Sequence, residues 1–198
     1  VGDRVLRGQL IAEPSGLGAN IHASYTGEVT AVTETDIVIK ADDKQNFDEY
    51  VKIPDTKTNL EAIAAAGVVG AGGAGFPTAV KLKTEIPQGC FIANCAECEP
   101  LLAHNIHQIE TDAAQLVRGV KYAMEITKAP KGYIAIKPKH KKAVIELIKA
   151  CRNEDNIDVF RLPDMYPAGD ERVIVREVMG IELEPGQLPG TVGACIDN

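Results

Sequence analysis

Gly67-Val68-Val69-Gly70-Ala71-Gly72-Gly73-Ala74-Gly75-Phe76-Pro77-Thr78-Ala79-Val80-Lys81 is the stretch on which the fold turns. Five glycines fall within nine residues, followed by an aromatic, a proline and a lysine. Glycine tolerates positive φ and lets a ligand approach main-chain N–H groups, and a run of such groups makes a concave anion site. Pro77 suits the first turn of a new helix, whose free N–H groups also favour an anion, and Lys81 adds a full positive charge one turn on. This pattern is read as a phosphate-binding loop; the bland alternative is a connector without a ligand.

Gly70-x-Gly72-x-x-Gly75 fits the dinucleotide fingerprint, which carries weight only after a strand. Here the preceding Asn59–Ala66 reads as an alanine-rich helix, with Thr58 or Asn59 as its cap and Gly67 closing its end. Helix–loop–helix argues against an ordinary Rossmann turn, and the lack of Gly-Lys-Ser/Thr excludes a Walker loop.

Working outward, residues 1 to about 50 alternate apolar and polar positions between the turn signals Gly2-Asp3, Gly8-Gln9, Ser15–Gly18 and Thr26-Gly27-Glu28. That predicts a small β module. Its pattern resembles the barrel-sandwich folds of biotinyl and lipoyl carriers, but no lysine precedes Lys40 to serve as a swinging arm, so the module is read as structural or as a docking piece. His22 is read as a packed or edge histidine, because no second metal ligand accompanies it. Asp42 to Lys57 is charged, contains Pro54 and reads as a linker, giving domains over 1–57 and 58–198.

Downstream of the glycine loop, Cys90–Asn94 is a short apolar run expected to form a buried strand, ending in Asn94-Cys95-Ala96-Glu97-Cys98-Glu99-Pro100. Polar groups at such a strand end are where open α/β sheets place ligands. An amphipathic helix over 111–128, a strand at Tyr133–Ile136, a helix with Ala143, Val144 and Leu147 inward, and a strand at Ile157–Phe160 follow. This β-α-β alternation implies an α/β layer structure with parallel strands. Leu162 to Arg172 then forms a Pro- and Gly-bearing loop ahead of a helix at 173–179. Its Asp170 and Glu171 are read either as a second site loop or as simple complements to the helix dipole.

Net charge −7 over 198 residues argues against nucleic acid as a partner. No run reaches membrane-spanning length, so direct membrane insertion is not expected and a cytoplasmic protein is. Five cysteines suit a reducing compartment. Cys90, Cys95 and Cys98 have the C-x4-C-x2-C spacing of a plant-type [2Fe–2S] motif, but Cys90 opens a predicted buried strand, so inert buried thiols are the preferred reading. His104 and His107 are spaced to share a helix face without a third ligand. Lys137 to Lys142 reads as a solvated basic face.

Together, Gly-x-Gly-Gly-Ala-Gly-Phe-Pro-Thr at 70–78, Lys81, Asn94-x-x-Glu97-x-Glu99-Pro100 and Tyr166-Pro-x-Gly169-x-Glu171 resemble the flavin-binding family of the NADH dehydrogenase 51 kDa chain and RnfC. The β module and the Tyr-Pro-x-Gly loop look more like RnfC. Ala-Glu-Cys-Glu-Pro-Leu-Leu-Ala-His-Asn and Asp-Glu-Arg-x-Ile-Val-Arg-Glu most resemble the RnfC-like branch associated with proline reductase. The resemblance implies an α/β class fold, with a barrel-sandwich module ahead of a Rossmann-like flavin domain of the 51 kDa type. It also implies FMN that accepts hydride from NADH and passes electrons singly to iron–sulfur clusters, whose ligands belong to a downstream region, and on to a partner reductase or other redox protein.

Carried over by position, Gly70, Gly72, Gly73 and Gly75 would form the FMN phosphate loop, with Lys81 near the flavin. Asn94 and Glu97 would face the ribityl chain or ring edge. Phe76, Glu99 and Glu171 would help hold NADH, Tyr166 and Gly169 would line the cleft, and Asn198 would begin a further flavin-contacting segment. Ala71 replaces the arginine of the 51 kDa chain and Ala96 replaces an aspartate facing the flavin. These departures motivate a second reading, a flavin-free docking module. A cobalamin-reducing relative of RnfC shares the same loops and is a third.

Overall fold

A computed structural model describes residues 1–71, 74–99 and 101–198. It separates into two compact units, 1–69 with 77–79, and 70–76 with 80–198.

The first unit is built on short antiparallel strands. β1 (Arg4–Val5), β4 (Gly27–Val32) and β5 (Ile37–Ala41) form one sheet, and β2 (Leu10–Ala12) pairs with β3 (Ile21–His22). Alternation drives the packing: Val5, Ala23 and Val29 are buried together, with Ile11, Ile37 and Ile39 against them. The charged stretch after Asp42, read as a linker, instead lies on this module. The Arg7 guanidinium sits over the rings of Phe47 (5.2 Å) and Tyr50 (6.0 Å), and the Val51 N–H donates to the Arg7 carbonyl at 2.8 Å. Helix α1 (Asn59–Ala66) starts where Thr58 accepts from the Glu61 N–H and ends at Gly67 in the left-handed region. It belongs to the same compact unit, and Asn20 Nδ2 donates to the Ala65 carbonyl.

The second unit is a four-stranded parallel sheet in the order β8 (Ile157–Arg161), β7 (Lys131–Ile136), β6 (Cys90–Cys95), β9 (Ala194–Asp197). Every residue of β6 is buried, as its unbroken apolar run requires for a central strand covered on both faces. Helix α5 (Glu171–Met179) supplies Ile174 and Val175 to the cluster containing Cys90, Ile92, Ala135 and Ile196. On the opposite side, α3 (His104–Thr127) lies so close that a β-carbon at Gly132 would stand 2.6 Å from the Met124 sulfur. Helix α4 (Lys141–Ala150) follows β7. The α/β class and the barrel-sandwich-plus-parallel-sheet architecture expected from the sequence are therefore observed.

Helix α3 begins earlier than the expected 111 and is kinked at Asp112 (φ −151°, ψ 68°). The Asp112 carboxylate accepts from the Gln115 N–H, a capping interaction that starts the second segment. The periodicity captured that second segment. The first one, from His104, carries too few apolar positions to declare itself. Among the described residues no helix is long and apolar enough to cross a membrane.

Candidate functional site

From β6 the chain goes first to β7 and β8 on one side, then returns as β9 on the other. That reversal opens a crevice at the carboxyl ends of β6 and β9, the position where parallel sheets bind ligands. A cavity of about 330 Å³ lies there. Lining it are Gly70 and Phe76 from the glycine loop, Lys81, Asn94, Glu97 and Glu99 after β6, Gly169 and Glu171 from the loop into α5, and Asn198 after β9. Nine of the sequence-derived site residues thus meet in one place, supplied by four separate segments. Gly75 and Tyr166 do not line it. Gly75 serves its turn at φ +67°, and Tyr166 is 79% exposed. Gly72 and Gly73 lie outside the described residues.

Lys81 closes helix α2 (Thr78–Lys81) and does not reach into solvent. Its ammonium donates to Glu171 Oε1 at 2.8 Å and to the Ile196 carbonyl at 2.9 Å, lies 3.7 Å from Asp197 Oδ1, and sits 5.9 Å from the Phe76 ring centre. Asp170 and Glu171 divide the two roles left open by the sequence. Asp170 caps α5 by accepting from the N–H groups of Arg172 and Val173, while Glu171 pairs with Lys81.

The glycine loop corrects one expectation. The Gly70 N–H, assigned to a phosphate, donates to the Phe76 carbonyl at 3.0 Å. The loop is pinched at its base, so that amide is used by the chain itself. Gly70 serves instead by having no side chain, since a β-carbon would stand 3.3 Å from Asp197 Oδ1.

Asn94, 7% exposed, fixes the loop into α5 against β6: its Nδ2 donates to the Gly169 carbonyl at 3.0 Å, and its Oδ1 accepts from the Ala96 N–H at 3.2 Å. Gly169 must be glycine here, because a β-carbon would meet Cys98 Sγ at 3.0 Å and Ala96 Cβ at 3.1 Å. The Gly169 N–H donates to Cys98 Sγ. Glu97 has φ 40°, unusual for a residue with a side chain. Its carboxylate is only 7% exposed, and Oε2 is buried without a hydrogen-bond partner among the described residues.

Ala74, Cys98 and Asn105 also line the cavity and escaped the sequence reading. Lys137 corrects another expectation. Read as part of a solvated basic face, it is 5% exposed and donates to the Glu97 carbonyl at 3.4 Å. Its place, immediately after the buried strand β7, was the available signal. A second, more apolar cavity of about 530 Å³ shares Ala74, Phe76, Lys81 and Glu171 with the first and continues past Val80, Leu188 and Ile196.

The cysteines have the environment of inert core thiols. Burial pushes Cys90 up to about 11 and Cys95 up to about 12, the latter with help from Glu97. Burial and then Asp197 push Cys195 to about 12. Among the described residues no three His, Cys, Asp or Glu side chains are grouped to hold a metal ion. Each raised thiol favours the fold fully below its ordinary value of 9.0. That contribution disappears as pH climbs from about 9 through 11 to 12. Iodoacetamide at pH 8 is therefore expected to spare these three thiols until denaturant is added, with stability falling from pH 9 upward. Rapid native-state labelling of Cys95, read by peptide mass mapping, would contradict this.

The Nuo51 FMN-binding domain model matches residues 63–198, and the RnfC barrel sandwich hybrid domain model matches residues 1–49. The chain belongs to the Nuo51 FMN-binding domain family. This Nuo51-type chain is 35% identical to an RnfC-type component of the Na+-translocating ferredoxin:NAD+ oxidoreductase complex of Acetobacterium woodii, across all of the chain and 48% of that relative. It is 45% identical over 138 residues to the cobalamin reductase PduS of Salmonella typhimurium, covering 70% of the chain and 30% of that protein. It thus spans about half the length, or less, of these curated relatives. The NAD+-reducing [NiFe]-hydrogenase in its H2-reduced state shares the Nuo51-type fold over 70% of the chain and 28% of its own, with a TM-score of 0.60 and 21% identity.

Proposed function

We propose that this chain holds FMN in the crevice between β6 and β9, where the flavin accepts hydride from NADH and releases electrons singly to a redox partner. The observation that carries this reading is the pairing of two cavities across Lys81 and Glu171. One is small and polar, with a buried carboxylate oxygen lacking a donor; the other is apolar. A flavin nucleotide offers ribityl hydroxyls and ring N–H groups to the first. The apolar cavity, bordered by Phe76 and Val80, suits an adenine ring.

The protein contributes position and charge. Lys81 offers the anionic tail an ammonium already held in place. Asn94 and Gly169 keep the wall of the crevice close, Glu97 accepts hydrogen bonds, and Glu99 and Glu171 orient the nicotinamide nucleotide. The cofactor itself supplies the change from two-electron to one-electron chemistry. Iron–sulfur centres or a reductase of the Rnf or proline reductase type would take the electrons, in a cytoplasmic setting peripheral to any membrane. The family matches at 1–49 and 63–198 support a functional division close to residue 57.

Titration of the intact protein with FMN and NADH tests this. One flavin per chain is expected, with binding reduced at least tenfold by Gly70→Val, whose side chain would collide with Asp197. No flavin binding would sink the reading. It would favour the docking module, for which the spent Gly70 amide and the already paired Lys81 speak. The match to a cobalamin reductase favours a corrinoid as an alternative acceptor. Reduction of cob(III)alamin in the same assay would identify that route.

A further inference from the structure

We propose that His104 is the exit for the proton left behind in the Glu97 cavity when the electrons of a hydride depart, with Glu97 as the intermediate carrier. This rests on the flavin reading above. The balance is NADH → NAD+ + H+ + 2e−: the electrons go one at a time to a one-electron acceptor, and the proton must reach water.

The geometry supplies a path. Glu97 lines the cavity, its backbone in the left-handed region at φ 40°. Holding a non-glycine residue there costs on the order of 1 kcal/mol, and such positions are retained where a side chain must point in one direction. One carboxylate oxygen, Oε2, is buried and has no hydrogen-bond partner among the described residues, so it is free to accept a proton from a bound group. The other, Oε1, lies 3.9 Å from His104 Nδ1, a gap that an ion pair spans directly and one water bridges. The His104 side chain is 40% exposed, while that of Glu97 is 7% exposed. The pair therefore runs from the buried cavity to solvent within two side chains, ending in the group whose charge changes most readily near neutral pH.

The other groups around Glu97 do not offer this route. Lys137 gives its proton-bearing end to the Glu97 carbonyl and is buried. Burial holds the Cys95 thiol in its neutral form. His140 feels Glu97, but burial and then Lys139 and Lys137 push its imidazole below the ordinary value, while Asp164 acts the other way. A buried imidazole next to two ammonium groups is a poor acceptor. His107, one turn further along α3, is exposed and has no acid partner among the described residues. It serves as a control.

The test uses the intact protein with NADH and ferricyanide in weakly buffered solution. FMN affinity is measured first, by flavin fluorescence, for wild type, His104→Ala, His104→Gln, Glu97→Gln and His107→Ala. With flavin bound to the same extent in the His104 variants and wild type, turnover in both variants is expected to fall about tenfold or more. Added imidazole should restore His104→Ala but not Glu97→Gln, and His107→Ala should match wild type. A second readout needs no flavin: diethylpyrocarbonate should modify His104 about two- to fivefold faster in Glu97→Gln, because the carboxylate no longer favours the unreactive imidazolium. Equal modification rates, or flavin-loaded His104 variants with unchanged or unrescued turnover, would overturn the relay while leaving the flavin reading intact. Absence of flavin binding in the wild type would overturn both.

Discussion

Lys81→Met should weaken FMN binding by about ten- to hundredfold and also lower the stability of the α/β unit. Methionine keeps the length of the stem and removes only the charge. The lost interaction with a phosphate is a charge-assisted hydrogen bond, worth roughly 1.5–3 kcal/mol. The stability cost has a different origin. The ammonium stands between Glu171 and Asp197, and the Asp197 side chain is 7% exposed. Without the cation those two acids face each other. Breaking a buried pair costs about 3–5 kcal/mol, but Lys81 is 21% and Glu171 43% exposed, so water screens much of it. About 1–2 kcal/mol remains. Adding Glu171→Gln should recover part of that stability without recovering FMN affinity, which separates the two effects in a double-mutant cycle. Thermal melts and fluorescence titrations read both quantities. An unchanged dissociation constant for Lys81→Met would remove the ammonium from the binding site.

The largest effect on the fold is expected at Gly89. A β-carbon there would stand 1.8 Å from the Gly193 carbonyl oxygen and 2.7 Å from its carbon. That same oxygen accepts from the Cys90 N–H at 2.9 Å, the bond that opens the pairing of β6 with β9. Gly193 ends the 3-10 turn Pro189–Val192 in the left-handed region, so it has no room to retreat without moving the turn. Gly89→Ala should cost about 3 kcal/mol or more and lower Tm by roughly 6–12 °C. Because β9 delivers the Ile196 carbonyl and Asp197 to Lys81, ligand affinity should fall with it. Gly119→Ala is the matching control. Gly119 lies inside helix α3 with nothing within 4 Å of a β-carbon, so alanine there should raise stability by about 0.5–1 kcal/mol. A Gly89→Ala protein that melts like wild type would show that β9 is not anchored through this contact.

Much of this molecule is written locally. The run Cys90–Asn94 is apolar on both faces and has no reason to be anything but a central strand. Thr58, Gly67 and Asp170 are capping residues whose chemistry depends on only a few neighbours, and each caps the helix end beside it. Three motif segments in family order also marked most of the residues that line the crevice.

What stayed hidden depends on distance in the chain. Lys81 and Glu171 are ninety positions apart, so only the folded sheet could make Glu171 a charge partner and leave Asp170 a cap. The amide of Gly70 looked available because glycine sequence says what a backbone can do, not where its hydrogen bond goes. Lys137 looked solvated because its neighbours in sequence are basic and polar, yet β7 ends beside Glu97 and buries it. The sequence by itself determined the elements, their caps and the chemical types at the crevice, since these follow from short-range sterics and from the period of apolar residues. The tertiary structure alone decided which charges meet, which carboxylate oxygen lacks a donor and which imidazole faces it, since those depend on where the sheet reverses its strand order.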